Sequence, residues 1–438
     1  MKRQCALLLL LAAAPAHANP LDAFGLGSRA AAMAGAATAS PEGIAANYYN
    51  PGALAAASSM SFDIGYMLAS PHMSWNGRDA GVDQTRGMFA GLNVPGRVGG
   101  LKLALGATIF LPDDRLTRVK SEPLSGPRFI YYDNRTQRLY MAANAAVGLG
   151  HGLYFGAGFV WMSSSHGNVQ LNGLVGFPDP EQSDLRLAID YQLETVRYPQ
   201  MGLFWQHSDR LTFGLTYRHS FTLRLAQSLH IEGIVGPLSH PLIQNGKVDV
   251  SSQSTDLFQP AQLAAGMAFR VRPRWLVTAD VVYERWSEFE NPGAAIQLSA
   301  DLKDFNRFVH IPNPPQPQAP YFHDVLALRS GVEYSVPRRG SRLEWQLRGG
   351  YGYEPSPVPD QFGETNFADG DKHTLGTGLG VVIRDVPLLE QPLALDAHLA
   401  WTIVPARLTR KALETDPVGD FEASGWVLAT GITMRVSF

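Results

Sequence analysis

From residue 58 to the end of the chain, apolar and polar positions alternate in a long series of short runs. In the last run, Trp426, Leu428, Thr430, Ile432, Met434, Val436 and Phe438 share one face, and Val427, Ala429, Gly431, Thr433, Arg435 and Ser437 share the other. Successive side chains of a strand point to opposite sides, so a period of two with one greasy face predicts a β-strand. The odd positions of Leu101–Leu111, Leu139–Val147 and Trp275–Tyr283 repeat the pattern against small or polar neighbours such as Gly106, Thr108, Asn144, Thr278 and Asp280. Fifteen stretches qualify: 58–70, 84–94, 99–111, 137–149, 152–165, 185–197, 199–207, 210–225, 260–271, 274–286, 325–336, 341–353, 373–384, 393–405 and 424–438. A single-chain barrel closes with an even number of strands, so one stretch is expected to merge or drop out. The expected fold is all-β, a transmembrane antiparallel β-barrel of about 14 strands.

The connections support closure in a membrane. Gly150-His151-Gly152, Ser208-Asp209-Arg210 and Arg272-Pro273-Arg274 are tight. Residues 112–136, 166–184, 230–258, 287–324, 355–372 and 406–423 are long and polar or Pro-rich. Short turns at one end and long loops at the other are the outer-membrane arrangement. Trp161, Trp205, Tyr217, Trp275, Tyr283 and Trp426 stand near run ends, as an aromatic girdle requires.

Composition narrows the picture further. Charged residues are 17% of the chain, against about 25% in soluble domains. A net charge of -3 argues against a nucleic-acid partner. Lys2 and Arg3, the apolar Leu7–Ala14 stretch and Ala16-His17-Ala18 predict a signal peptide over residues 1–18, leaving Asn19 as the mature start. Cys5 is the one cysteine and falls inside it, so no disulfide, thiolate nucleophile or Cys-ligated metal is expected. Residues 19–57 do not alternate and are rich in Ala and Gly. They are too apolar for a free tail and are expected to fold into the lumen as a plug ahead of the barrel domain, residues 58–438.

The chain resembles the FadL/TodX family of outer-membrane transporters for long-chain fatty acids and other hydrophobic compounds. Gly25-Leu26-Gly27-Ser28-Arg29 through Asn50-Pro51-Gly52 is similar to the family's hatch and its Asn-Pro-Ala motif. Trp275, Asp280, Tyr283 and Trp286-Ser287-Glu288-Phe289 resemble the family's W…D…Y..WS.F strand. Arg348-Gly349-Gly350-Tyr351-Gly352-Tyr353 through Ser356-Pro357-Val358-Pro359 resembles its SPVP segment, followed by Asp369-Gly370-Asp371-Lys372-His373. The terminal Phe438 fits many barrels. Gly52 departs from the family's alanine; it keeps the residue small at a cost in stiffness.

The resemblance implies passive uptake, with capture at the loops, a ligand site beneath the hatch and sideways release through a gap in the wall near the Asn-Pro-Ala motif. Asn50, Pro51 and Gly52 are then the hatch residues, and Gly99, Gly100 and Gly106 candidates for a bend that opens the strands around 84–111. Apolar loop stretches at 129–132, 171–177, 231–238 and 305–311 predict the capture region, with Phe129, Tyr131 and Tyr132 as contacts. Arg128, Arg135 and Arg138 are candidate partners for a carboxylate. Expected partners are a long-chain fatty acid or similar hydrophobic molecule, outer-membrane lipid, and the barrel-assembly machinery at Phe438, the chain acting as a monomer. No cofactor, metal or catalytic residue is called for, since no G-x-S-x-G or comparable motif occurs. A non-transporting scaffold or secretion-associated barrel, and an outer-membrane lipolytic enzyme, are the alternatives.

Overall fold

The computed structural model describes residues 20–116, 126–129, 131–132, 138–174, 181, 183–235, 243–293, 295–308, 311–337, 342–361, 365–387, 389, 391–411, 416 and 418–438. The expected signal peptide with Cys5, the candidate cation Arg135, and parts of the four apolar loop stretches, Ile130 among them, lie outside the described residues.

Fourteen strands close into one antiparallel barrel. They are β1 (Ser61–Trp75), β2 (Thr85–Val98), β3 (Leu101–Pro112), β4 (Tyr140–Gly150), β5 (Leu153–Leu174), β6 (Asp184–Gln206) and β7 (Leu211–Arg218), then β8 (Gln262–Arg272), β9 (Trp275–Glu284), β10 (Val325–Ser335), β11 (Leu343–Glu354), β12 (Lys372–Ile383), β13 (Leu393–Thr409) and β14 (Phe421–Ser437). Each pairs with its neighbours in chain order. The last strand closes on the first, from Ser61–Ser437 to Trp75–Ala423. Closure leaves no strand of the barrel without a neighbour on either side, where an open edge in lipid costs several kcal/mol per unpaired group.

Two of the fifteen predicted stretches, 185–197 and 199–207, are one strand, β6, running through Pro199. Pairing with β7 reaches no further than Gln200–Arg218, so the proline sits where one side of the strand has become an edge. The stretch 210–225 divides into β7 and a separate strand, Phe221–Val235. That strand pairs with Ile243–Gln259, which pairs with Ala295–Asp301, and it meets the far end of β5 in parallel at Leu229–Val169 to Glu232–Asn172. A small sheet thus rises from the long-loop end.

The predicted faces hold. Trp275, Val277, Val281 and Tyr283 point outward and are exposed, while Leu276, Thr278, Asp280 and Val282 are buried toward the lumen. The lumen is filled by residues 20–57: helices α1 (Pro20–Phe24), α2 (Ser28–Ala32) and α3 (Ala46–Tyr49), with single-turn helices at Gly43–Ala45 and Pro51–Ala56. None of these is long enough to be stable alone. They are held by the wall around them.

Candidate functional site

The hatch is seated by two unlike sets of contacts. Toward β3–β6 they are neutral, and on β7 Arg218 pairs with Asp22 of α1 at 3.9 Å. Asn50 Nδ2 donates to Leu203 O at 2.8 Å and Thr38 O at 3.0 Å, while its Oδ1 accepts from Gly52 N at 3.0 Å. This side-chain cap starts the Pro51–Ala56 turn, with proline at its first position as helix starts favour. A Cβ on Gly52 would lie 2.8 Å from Gly202 O, 3.0 Å from Phe204 N and 3.1 Å from Tyr154 O. Glycine at this position therefore does more than stay small: it removes an atom for which there is no room. Gln200 Nε2 donates to Asn47 O and Asn144 Oδ1 at 2.7 and 2.8 Å, and Asn144 Nδ2 to Asn47 Oδ1 at 3.0 Å.

Toward β10–β14 and β1 the contacts are ionic. Arg29 of α2 donates to Glu333 at 2.8 Å. Glu333 also accepts from Arg348 at 2.7 Å, and Arg348 reaches Asp396 at 2.5 Å. Arg435 binds Asp63 at 2.8 Å and the hatch residue Glu42 at 3.0 Å, and Ile44 N donates to Asp63 at 3.2 Å. Three arginines and four carboxylates thus tie the hatch to five strands. Buried charges persist only when paired and hydrogen-bonded, so this network fixes one hatch position.

At the long-loop end an aromatic cap covers the lumen. Trp286, Phe289, Phe322 and Phe367 pack together, with the Phe289 and Phe322 rings stacked 4.4 Å apart. Arg128–Phe129 pairs in parallel with Phe367–Ala368 and carries Tyr131 and Tyr132 into this cluster. The Tyr132 ring stacks on Phe24 of the hatch at 6.5 Å. Burial pushes both phenols above their ordinary range. Phe129, Tyr131, Tyr132 and Arg128, expected on exposed loop surface, are all buried. The segment turns inward because three rings and a short parallel ladder bury more apolar area over the hatch than on the rim. Among the described residues, Phe308 and Tyr321 are the exposed loop aromatics, at 83% and 68%.

Between the hatch and the wall strands β10–β14 lies a cavity of about 80 Å³, lined by Leu21, Phe24, Tyr49, Arg329, Glu354 and Lys372 among others. That is room for a few waters or one head group. Lys372 is held by Asp369 at 3.2 Å and Glu354 at 3.3 Å and lies 3.9 Å over the Tyr131 ring. Tyr131 OH and Trp286 Nε1 both donate to Glu284, at 3.1 and 2.9 Å. Burial pushes the carboxyls of Asp22 and Asp369 up, against the pull of Arg218 and Lys372 respectively. Arg329 faces the cavity beside Gly35, and among the described residues its guanidinium makes no ion pair or hydrogen bond.

Residues 142–437 match the family model described as outer membrane protein transport protein (OMPP1/FadL/TodX). The chain belongs to this family. Its fold is that of a Pseudomonas aeruginosa FadL homologue, with a TM-score of 0.57 and 16% identity over 94% of this chain and 97% of that one. The Ralstonia pickettii toluene transporter TbuX matches at a TM-score of 0.53 and 17% identity, over 95% of this chain and all (100%) of the other. Alkane uptake protein A of Marinobacter nauticus is 23% identical over 284 residues, 63% of this chain and 57% of its own length. As an outer-membrane FadL/TodX barrel, the chain has its short turns on the periplasmic side and its cap outside.

The structure sorts the remaining expected site residues. Gly99 and Gly100 are not within a strand: with φ of 57° and 84° they make the periplasmic turn between β2 and β3. Tight reversal of two paired strands needs that left-handed backbone. Gly106 does lie in the wall, where a Cβ would meet Asn47 and Leu54 of the hatch. Pairing along β1–β2, β2–β3 and β3–β4 is continuous among the described residues, so the strands at 84–111 carry no standing gap. Arg138 is buried and donates to Ser163 O at 2.8 Å, away from the cavity. Of the cavity cations, Arg329 is absent from the sequence candidates and Lys372 enters them only as part of the Asp369–His373 segment. The available signal was phase: Arg329 falls in register with inward-facing Val325, Ala327 and Glu333.

Proposed function

We propose that this family member takes up long-chain fatty acids or similar hydrophobic compounds by passive diffusion. Capture begins at extracellular apolar side chains such as Phe308 and Tyr321, because an exposed acyl chain costs about 0.8 kcal/mol per CH₂ and gains by leaving water. The cap then parts and the molecule lodges above the hatch. Asn50-Pro51-Gly52 anchors the hatch against β5 and β6, and its movement gates onward passage.

The observation that carries the reading is Arg329, a cavity-lining guanidinium whose charge Glu354 and Glu284 support from a distance while, among the described residues, no partner occupies its hydrogen-bonding fork. A planar fork of donors suits a carboxylate, so the cargo it selects is an acid more than a plain alkane or toluene. Release is sideways. Asp396 and Thr433 line both a narrow pocket against the hatch and an apolar groove on the lipid face beside Ile64, Leu379 and Ile432. The two pockets meet the wall at the same two residues, and the axis below stays blocked while the ionic network holds. Uptake of labelled oleate and labelled hexadecane by cells expressing wild type or Arg329→Gln tests the reading. Loss of oleate uptake alone supports it, and equal rates for both proteins on both compounds refute it.

A further inference from the structure

A second cavity opens at the short-turn end of the barrel. It lies under the hatch and occupies about 500 Å³; its wall is mostly polar, with an apolar strip made by Ala39, Ala53 and Ala57 of the hatch, Phe204 of β6 and Leu276 of β9. Its volume falls within the roughly 300–1,000 Å³ typical of small-molecule sites. Four arginines, Arg29, Arg210, Arg270 and Arg435, and two carboxylates, Glu42 and Asp209, line it. Arg29 and Arg435 are neutralised by Glu333, Asp63 and Glu42. Arg210 and Arg270 are not. Arg270 N donates to Arg210 O at 2.8 Å, which starts both side chains from neighbouring positions at the periplasmic end of β7 and β8. Among the described residues neither guanidinium makes an ion pair or hydrogen bond, and Asp209 is bridged to neither.

We propose that this vestibule is a second ligand site, for an acyl chain bearing an anionic head group. The head group pairs with Arg210 and Arg270, whose forks suit carboxylate or phosphate oxygens, and the chain lies along the alanines, Phe204 and Leu276. A small inorganic anion would engage only the two guanidinium groups, and an uncharged alkane only the apolar strip; an acyl anion engages both. The site is independent of the upper cavity and holds whether or not that cavity transports. Its occupant comes from one of two sources, a free fatty acid in the periplasm or a phospholipid of the inner leaflet.

The full-length protein in lipid nanodiscs is photolabelled with palmitate carrying a terminal diazirine, and separately with a phosphatidylglycerol bearing the same group. Labelled peptides are mapped by mass spectrometry. Label is expected on residues 53–59 and on the strands carrying Phe204 and Leu276. In Arg210→Gln/Arg270→Gln it should drop by about tenfold or more, the fold-change of losing charge-assisted hydrogen bonds. Arg210→Lys/Arg270→Lys should retain most of it, which separates lost charge from lost folding. Arginine-dependent labelling by palmitate assigns the site to the free acid, and by phosphatidylglycerol to membrane lipid; either supports it. Absence of vestibule label from both probes, or label indifferent to both arginines, overturns it. Label at Tyr353 and Lys372 reports the upper cavity separately, so its loss there counts against the uptake reading alone.

Discussion

Adding one methyl group at Gly52 should unseat the hatch. The Cβ of Gly52→Ala would sit 2.8 Å from Gly202 O, while ordinary contact begins at 3.4 Å, so about 0.6 Å of movement is required. The wall cannot supply it: Gly202 is paired on both sides, with Gly156 of β5 and Thr216 of β7. The hatch must retreat, which lengthens the bonds from Asn50 Nδ2 to Leu203 O and from Gly52 N to Asn50 Oδ1. Overpacking of this kind costs about 1–3 kcal/mol, and a weakened buried hydrogen bond about 1 kcal/mol more. The sum, about 2–4 kcal/mol, acts on a local opening, because the closed ladder does not depend on the hatch turn. Amide hydrogen exchange over residues 43–57 should therefore accelerate about thirty- to several-hundredfold, with strand amides unchanged. Unchanged exchange in the hatch, or an equal loss of protection in the strands, would refute the close-packing argument.

Other consequences follow from the same geometry. Glu333→Leu leaves Arg29 and Arg348 short of a shared acceptor and should cost about 3–5 kcal/mol, read as a lower thermal midpoint of the folded band in detergent. Trp286→Ala removes the ring joining Tyr131, Phe258, Phe289 and Phe322 and should cost about 3–5 kcal/mol in the cap, seen as faster labelling of a cysteine placed at Phe24. Burial raises the Asp22 carboxyl in the folded chain. Whatever stability Asp22 contributes is thus complete below the ordinary carboxylate value and is lost as pH rises through the raised one. The melting temperature of Asp22→Asn relative to wild type should rise across that window.

The barrel was legible because lipid imposes a strict period of two. Trp275 to Tyr283 could be assigned face by face from sequence, and the strand count needed only the recognition that Pro199 is tolerated where β6 becomes an edge. The hatch was legible as a segment that fails to alternate, and its motif residues as a resemblance. The lumen was not. Phe129, Tyr131 and Tyr132 look like rim residues in sequence, and only the parallel pair with Phe367–Ala368, some 240 residues away, turns them inward. Arg329 and Glu333 are spaced like any inward pair on a strand; that one is saturated and the other cavity-facing depends on Arg29 and Gly35 of the hatch. Gly99, Gly100 and Gly106 read alike, yet two of them form a turn and one faces the plug.

The claim at the centre is that this barrel passes hydrophobic acids without an energy source. Proteoliposomes containing the purified protein, with albumin trapped inside as the only sink, can be given labelled oleate outside and no nucleotide or ion gradient. Saturable accumulation above protein-free vesicles, reduced in Arg329→Gln, is the predicted result. Accumulation no faster than through lipid alone would contradict the account.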